Sequence, residues 1–142
     1  MDLKIKKLHP QARLPVYAHP GDAGLDLFAL EAILLKAGAR ALVKTGIALD
    51  LPEGTEAQVR PRSGLALNYG ITVLNSPGTI DQAFRGEIGV ILINHSDQDF
   101  QVTSGMKIAQ MVVQPVFRVR VVEVEELSTS VRGAGGFGST GL

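Results

Sequence analysis

Apolar residues in this chain come in short runs, and turn-forming residues interrupt nearly every run before a helix of ordinary length can form. Pro20-Gly21-Asp22, Pro52-Glu53-Gly54 and Ser76-Pro77-Gly78 each put a preset or permissive backbone between two such runs, which is the chemistry of chain reversal. With 16 glycines and 7 prolines spread along the chain, the pattern is that of an all-β domain. Strands are expected at 3–7, 25–30, 40–49, 56–60, 71–74, 87–94, 100–103 and 107–124. One short helix is expected at 63–70, where leucines and alanine follow a Ser63 cap and Gly70 can stop the turn. In the last strand Val116-Phe117-Arg118-Val119-Arg120-Val121 alternates as a half-buried strand does, and Val121-Val122 breaks the alternation, which implies burial on both sides there.

A length of 142 residues suits one domain and one core. No cysteine is present, so thiolate metal sites, disulfides and cysteine nucleophiles are excluded. Basic and acidic residues number 14 each, for a net charge of +0, whereas a protein that grips a polyanionic backbone carries a basic surplus. Nucleic acid is therefore not an expected partner, although a few arginines focused in one pocket can still hold a small phosphorylated ligand. The segment Met1-Asp2-Leu3-Lys4-Ile5-Lys6-Lys7 lacks the apolar core of a signal peptide, and no apolar run approaches membrane-spanning length. The expectation is a cytoplasmic protein without a membrane partner. His9, His19 and His95 are scattered without ligand spacing and are expected at the surface.

Composition changes after residue 127: residues 128–142 hold five glycines, one charge (Arg132) and too few apolar side chains for a core. The division expected is a β domain at 1–127 and a flexible arm at 128–142. Gly133-Ala134-Gly135-Gly136-Phe137-Gly138 fits the G-x-G-x-x-G pattern, but a dinucleotide loop needs a helix after it and only four residues remain. A P-loop is absent, and one arginine does not make an RNA-binding tail. What the arm does carry suits a nucleoside phosphate: Arg132 for phosphate oxygens, glycines for close backbone approach, Phe137 to stack on a base, and the Ser139 and Thr140 hydroxyls. An ordinary frayed terminus has the same composition.

Four further segments combine uncommon residue choices. In Ala23-Gly24-Leu25-Asp26-Leu27 an aspartate sits between leucines, where a buried carboxylate without a partner would be costly; an outward-facing strand residue is the plainer explanation. Arg60-Pro61-Arg62-Ser63-Gly64-Leu65 presents basic side chains, a hydroxyl and the N–H groups of a helix start together, as an anion site or as a simple cap. Residues 75–87, from Asn75 through Gly78-Thr79-Ile80-Asp81 to Glu87, place polar groups, a turn and the Phe84 ring where a hairpin is expected, a density that folding alone does not require. Arg85 and Glu87 read as a structural pair beside it. Gly105-Met106-Lys107-Ile108-Ala109-Gln110-Met111 sets a glutamine among apolar neighbours.

In this order, the four segments and the arm resemble the five motifs of the trimeric dUTPase family, distributed from residue 23 to residue 141. The resemblance implies a jelly-roll-like β-barrel, a homotrimer, and active sites drawn from more than one subunit, with the arm reaching a neighbour's site. Fifteen extended residues span roughly 50 Å, which is compatible with that reach. It also implies hydrolysis of dUTP to dUMP and pyrophosphate by Mg2+-assisted attack of water on the α-phosphorus, which limits uracil in DNA and supplies dUMP for dTMP synthesis.

Carried over to this sequence, the resemblance makes Asp81 the base that orients and deprotonates the water and touches the sugar 3′-hydroxyl. Asp26 would hold the magnesium ion through water. Arg62, Ser63, Gly64 and Gln110 would contact phosphates, joined from the arm by Arg132, Gly138, Ser139 and Thr140, while Phe137 covers the uracil. Base choice would rest on Asn75 and on main-chain groups around Gly78, Thr79, Ile80 and Gly89, which can match the acceptor, donor, acceptor edge of uracil and leave cytosine unpaired. Two positions depart from the common pattern. Phe84 stands where tyrosine is more usual under the deoxyribose, keeping the ring without its hydroxyl, and Lys107 stands where arginine is frequent, which removes a bidentate contact. A dCTP deaminase and a noncatalytic β-barrel module are the alternatives, and Asp81 within Gly78-Thr79-Ile80-Asp81 argues most against the second.

Overall fold

The computed structural model describes residues 1–141; Leu142, the last residue of the expected arm, lies outside them. The fold is all-β and jelly-roll-like, with a single short helix among the described residues. Its strands are β1 (Lys4–Lys7), β2 (Leu25–Phe28), β3 (Ile33–Leu35), β4 (Arg40–Lys44), β5 (Ile47–Asp50), β6 (Thr55–Arg60), β7 (Ile71–Val73), β8 (Gly78–Ile80), β9 (Gly89–Asn94), β10 (Phe100–Val102) and β11 (Lys107–Pro115), and α1 (Ser63–Tyr69) lies between β6 and β7. They pair antiparallel into four small sheets, in the orders β2-β11-β6-β8, β4-β9-β7, β1-β5 and β10-β3. No described helix is long and apolar enough to cross a membrane.

Period-two alternation decides which side chains enter the core. On β6 the odd positions Thr55, Ala57 and Val59 are buried, and on β9 it is Val90, Leu92 and Asn94. The even positions of β6 and Gly89, Ile91 and Ile93 of β9 face outward and are half-buried. Leu27, Leu49, Val59, Ile71, Val90, Leu92 and Met111 belong to one continuous apolar cluster. Asn94 is fully buried within it, and its amide is spent: Nδ2 donates to the Leu35 and Gln98 carbonyls while Oδ1 accepts from the Ser96 N–H and hydroxyl.

Four expectations need correction. The run 40–49 is two strands, because Gly46 turns the chain at φ 72° and packs so closely that an added Cβ would stand 2.8 Å from Ala12 Cβ. Beside the Ser76-Pro77 turn, Gly78-Thr79-Ile80 forms β8 by pairing with β6, and β3 pairs with β10 although its three residues gave no periodicity. The last strand stops at Pro115 rather than at 124. After Val116, which donates its N–H to the Gly54 carbonyl, no described strand lies alongside, and Phe117, Val119, Val121 and Val122 are exposed rather than buried. Among the described residues, no strand face meets their alternating pattern. At α1, Arg62 rather than Ser63 occupies the N-cap position, with no side-chain capping bond, and Gly70 ends the helix as expected.

Candidate active site

Pairing across the four-stranded sheet builds the first cluster. Asp26 on β2 lies opposite Gln110 on β11, which lies opposite Arg60 on β6, so the segment Pro61-Arg62-Ser63-Gly64 leaves β6 beside both. Gln110 fixes that exit by donating from Nε2 to the Pro61 carbonyl at 2.9 Å. The result is a cleft of about 320 Å³ lined by Ala18, Asp22, Ala23, Gly24, Asp26, Arg62, Ser63, Gly64 and Gln110. Of the residues expected to face phosphate or its metal ion, the five outside the arm border this one cleft.

Asp26 is 8% exposed, so the leucines on either side did not place it outward. Two cations compensate its charge: Lys107 Nζ stands 2.6 Å from Oδ2, and Arg62 Nε 3.5 Å from Oδ1. The Lys107 contact is a charge pair without hydrogen-bond geometry, which leaves Oδ2 buried and without a directed donor. Sequence reasoning treated Lys107 as a lost contact and missed this pairing. The signal was weak, because it depends on a register irregularity between Lys107 and Ala109 that moves Lys107 beside β2.

Hairpin residues build the second cluster. Leu42 on β4 is the cross-strand partner of Ile91 on β9, and with Gly89 they form the outward face of their sheet. Asn75, Thr79, Ile80, Asp81 and Phe84 complete a cleft of about 270 Å³ with Glu87 and Ile88. Gly78 does not line it, but an added Cβ there would touch the Asn75 amide at 3.4 Å. The Phe84 ring lies directly over Gly86, where a Cβ would stand 2.6 Å from Cζ, so the ring is held by backbone contact without any phenol hydroxyl. Asp81 is exposed, and no described residue donates a hydrogen bond to its carboxylate. Leu42, Ile88 and Ile91 were not anticipated: alternation gives the face of a strand, but not which strand lies next to it.

The expected Arg85–Glu87 pair does not form. Arg85 instead binds Asp50 at 2.6 Å, and Glu87 accepts the Gly46 N–H.

The arm is brought to neither cleft. Its hydrogen bonds are local: Arg132 Nε donates to the Gly135 carbonyl, the Ser139 N–H to Gly136 and the Gly141 N–H to Gly138. Phe137 is fully exposed, with a left-handed φ of 49°. Arg132, Phe137, Gly138, Ser139 and Thr140 thus stay together but apart from the other candidate residues. The three histidines are exposed.

The family model for dUTPase matches residues 10–141. The deoxyuridine 5′-triphosphate nucleotidohydrolase of Clostridium acetobutylicum is 64% identical over 142 residues, covering 100% of this chain and 98% of the relative, and that of Crocosphaera subtropica is 60% identical with both chains covered in full. Among solved structures, a Staphylococcus bacteriophage 80alpha dUTPase variant with dUpNHpp superposes with a TM-score of 0.93, at 28% identity and 99% coverage of each chain. A dUTPase variant from phage phi11 of S. aureus, described with a coordinated structural Mg(II) ion, gives 0.84 at 25% identity, covering 91% of this chain and 100% of the other. A matched family model over nearly the whole length, with relatives this similar from end to end, means that the chain is an enzyme belonging to the dUTPase family.

Proposed function

We propose that the enzyme hydrolyses dUTP to dUMP and pyrophosphate by attack of water on the α-phosphorus, limiting uracil in DNA and supplying dUMP for dTMP synthesis. The observation that carries this reading is the sorting of candidate residues into two clefts of different chemistry. One is polar and bordered by Arg62, Ser63, Gly64 and Gln110, as a triphosphate requires. The other sets apolar walls around a few polar groups, as a nucleoside requires, and carries the free carboxylate of Asp81.

In this reading Asp81 accepts the proton of the attacking water and contacts the 3′-hydroxyl, while Phe84 lies against the deoxyribose and leaves no room for a 2′-hydroxyl. Asn75 and main-chain groups around Gly78, Thr79, Ile80 and Gly89 bind the uracil edge. The residues also fit a magnesium ion held mainly by phosphate oxygens and water. Asp26 offers a shielded carboxylate oxygen without a directed donor, and no described group of three acidic or histidine ligands makes a protein cage. When bound, the ion neutralises triphosphate charge that would otherwise repel the nucleophile.

The same reading makes 1–127 the catalytic β domain and 128–142 an arm that closes over nucleotide in a homotrimer. Its support is that phosphate-type and nucleoside-type groups line different clefts, that the arm's groups meet neither, and that the apolar side chains of 117–124 stand exposed. A cytoplasmic location is part of the proposal, as are the arm contacts from Arg132, Phe137, Gly138, Ser139 and Thr140.

The test is a nucleotide panel with purified protein and magnesium. Pyrophosphate release from dUTP far faster than from dCTP, dTTP or UTP is expected. Ammonia release from dCTP would favour a deaminase, and no turnover of any nucleotide would favour a binding module.

A further inference from the structure

Strand β8 stops pairing at Ile80, opposite Ala57, and residues 81–87 then run without a strand partner until Ile88 donates its N–H to the Ile47 carbonyl of β5. Asp81 and Phe84 both lie on this segment and face the nucleoside cleft. Something other than a sheet ladder must therefore hold them.

Three contacts do so. The Phe84 N–H donates to the Asp81 carbonyl at 3.0 Å, closing a turn over 81–84. Arg85 grips that turn from outside: Nη1 donates to the Gln82 carbonyl at 2.7 Å and the Phe84 carbonyl at 3.1 Å, while Nη2 reaches Asp50 Oδ1 on β5 at 2.6 Å. Gln82 supplies a second tie, its Oε1 accepting the Gly54 N–H at 3.0 Å and an Arg118 N–H at 3.3 Å. One guanidinium thus fastens two carbonyls of the turn to the sheet, a geometry that suits the planar fork of arginine.

We infer that Arg85, anchored by Asp50, is a positioning residue for dUTP hydrolysis: it sets where the Asp81 carboxylate and the Phe84 ring stand, without touching substrate. This rests on the proposed role of Asp81. Magnitudes separate positioning from folding. The Arg85 and Asp50 side chains are 55% and 46% exposed, and pairs this exposed contribute little to stability. A displacement of a reacting group by about 1 Å can cost about 100-fold in rate.

The experiment compares wild type with Arg85→Ala, Arg85→Lys, Asp50→Ala and Asp81→Asn, and with Arg85→Ala combined with Asp81→Asn, reading kcat and KM for dUTP and the thermal midpoint. Arg85→Ala should lower kcat about 10- to 100-fold, with a smaller change in KM and a midpoint near wild type. Arg85→Lys and Asp50→Ala should fall between it and wild type. Because Arg85 acts through Asp81, adding Arg85→Ala to Asp81→Asn should cost little more than Asp81→Asn alone.

Full kcat in Arg85→Ala, or losses that multiply in the double variant, would overturn the inference. So would a kcat loss that follows loss of folded protein, with Asp50→Ala, which keeps the arginine, fully active. Wild-type protein that releases no pyrophosphate from dUTP overturns the functional reading, and this inference with it.

Discussion

At the scale of single residues, the two clefts treat their carboxylates in opposite ways. Asp26 is buried and compensated by Lys107 and Arg62, whereas Asp81 is exposed and free of described donors. Geometry encloses Asp26 between two side-chain cations and leaves Asp81, at the edge of the nucleoside cleft, open to a water molecule. Changing Asp81 to Asn should therefore keep nucleotide binding and lower kcat by about 10²- to 10⁴-fold, as measured by dUTP binding calorimetry alongside steady-state turnover. Loss of binding with residual catalysis unchanged would reverse the assignment. Which candidate residues gather was legible in the sequence, since Asp26, Arg62, Ser63, Gly64 and Gln110 meet in one cleft and Asn75, Asp81 and Phe84 in the other. Their partners were not, because Lys107 with Asp26 and Arg85 with Asp50 depend on which strands are neighbours.

At the scale of elements, most strands followed from alternation and turn chemistry. β6 and β9 bury every second residue, and such patterns are visible along the chain. Failures came where three-residue strands are too short to show a period, as at β3 and β8, and where one glycine divides an apolar run. Gly46 is that glycine, and it separates β4 from β5 with Leu30 and Ala12 packed against it. Gly46→Ala should destabilise the fold by about 1–3 kcal/mol, from the left-handed backbone and the close contact together. Urea unfolding checks this: the midpoint should fall with the slope unchanged. An unchanged midpoint would mean that the turn relaxes freely.

At the scale of the whole molecule, the segment 116–127 shows why a correct pattern gave a wrong location. Val116 to Val121 alternates as a half-buried strand does, yet Phe117 is 93% and Val121 91% exposed, because no described strand runs beside them. Periodicity states that a face seeks burial, not what supplies it, and in the proposed trimer a second copy would supply it. The arm carries the same lesson, since its glycines and Arg132 suit a phosphate ligand but make only local bonds within one chain. Removing residues 132–142 should leave a folded protein that still binds nucleotide, with kcat lower by about 10- to 100-fold, because an open site admits water and positions the triphosphate poorly. Full kcat after truncation would show that the arm does not close the site.

The proposed reaction is defined by which phosphorus the water attacks. Hydrolysis of dUTP in ¹⁸O-labelled water, followed by mass spectrometry of the products, reads this directly. Attack at the α-phosphorus predicts one labelled oxygen in dUMP and none in pyrophosphate; label in pyrophosphate, with dUMP unlabelled, would contradict it.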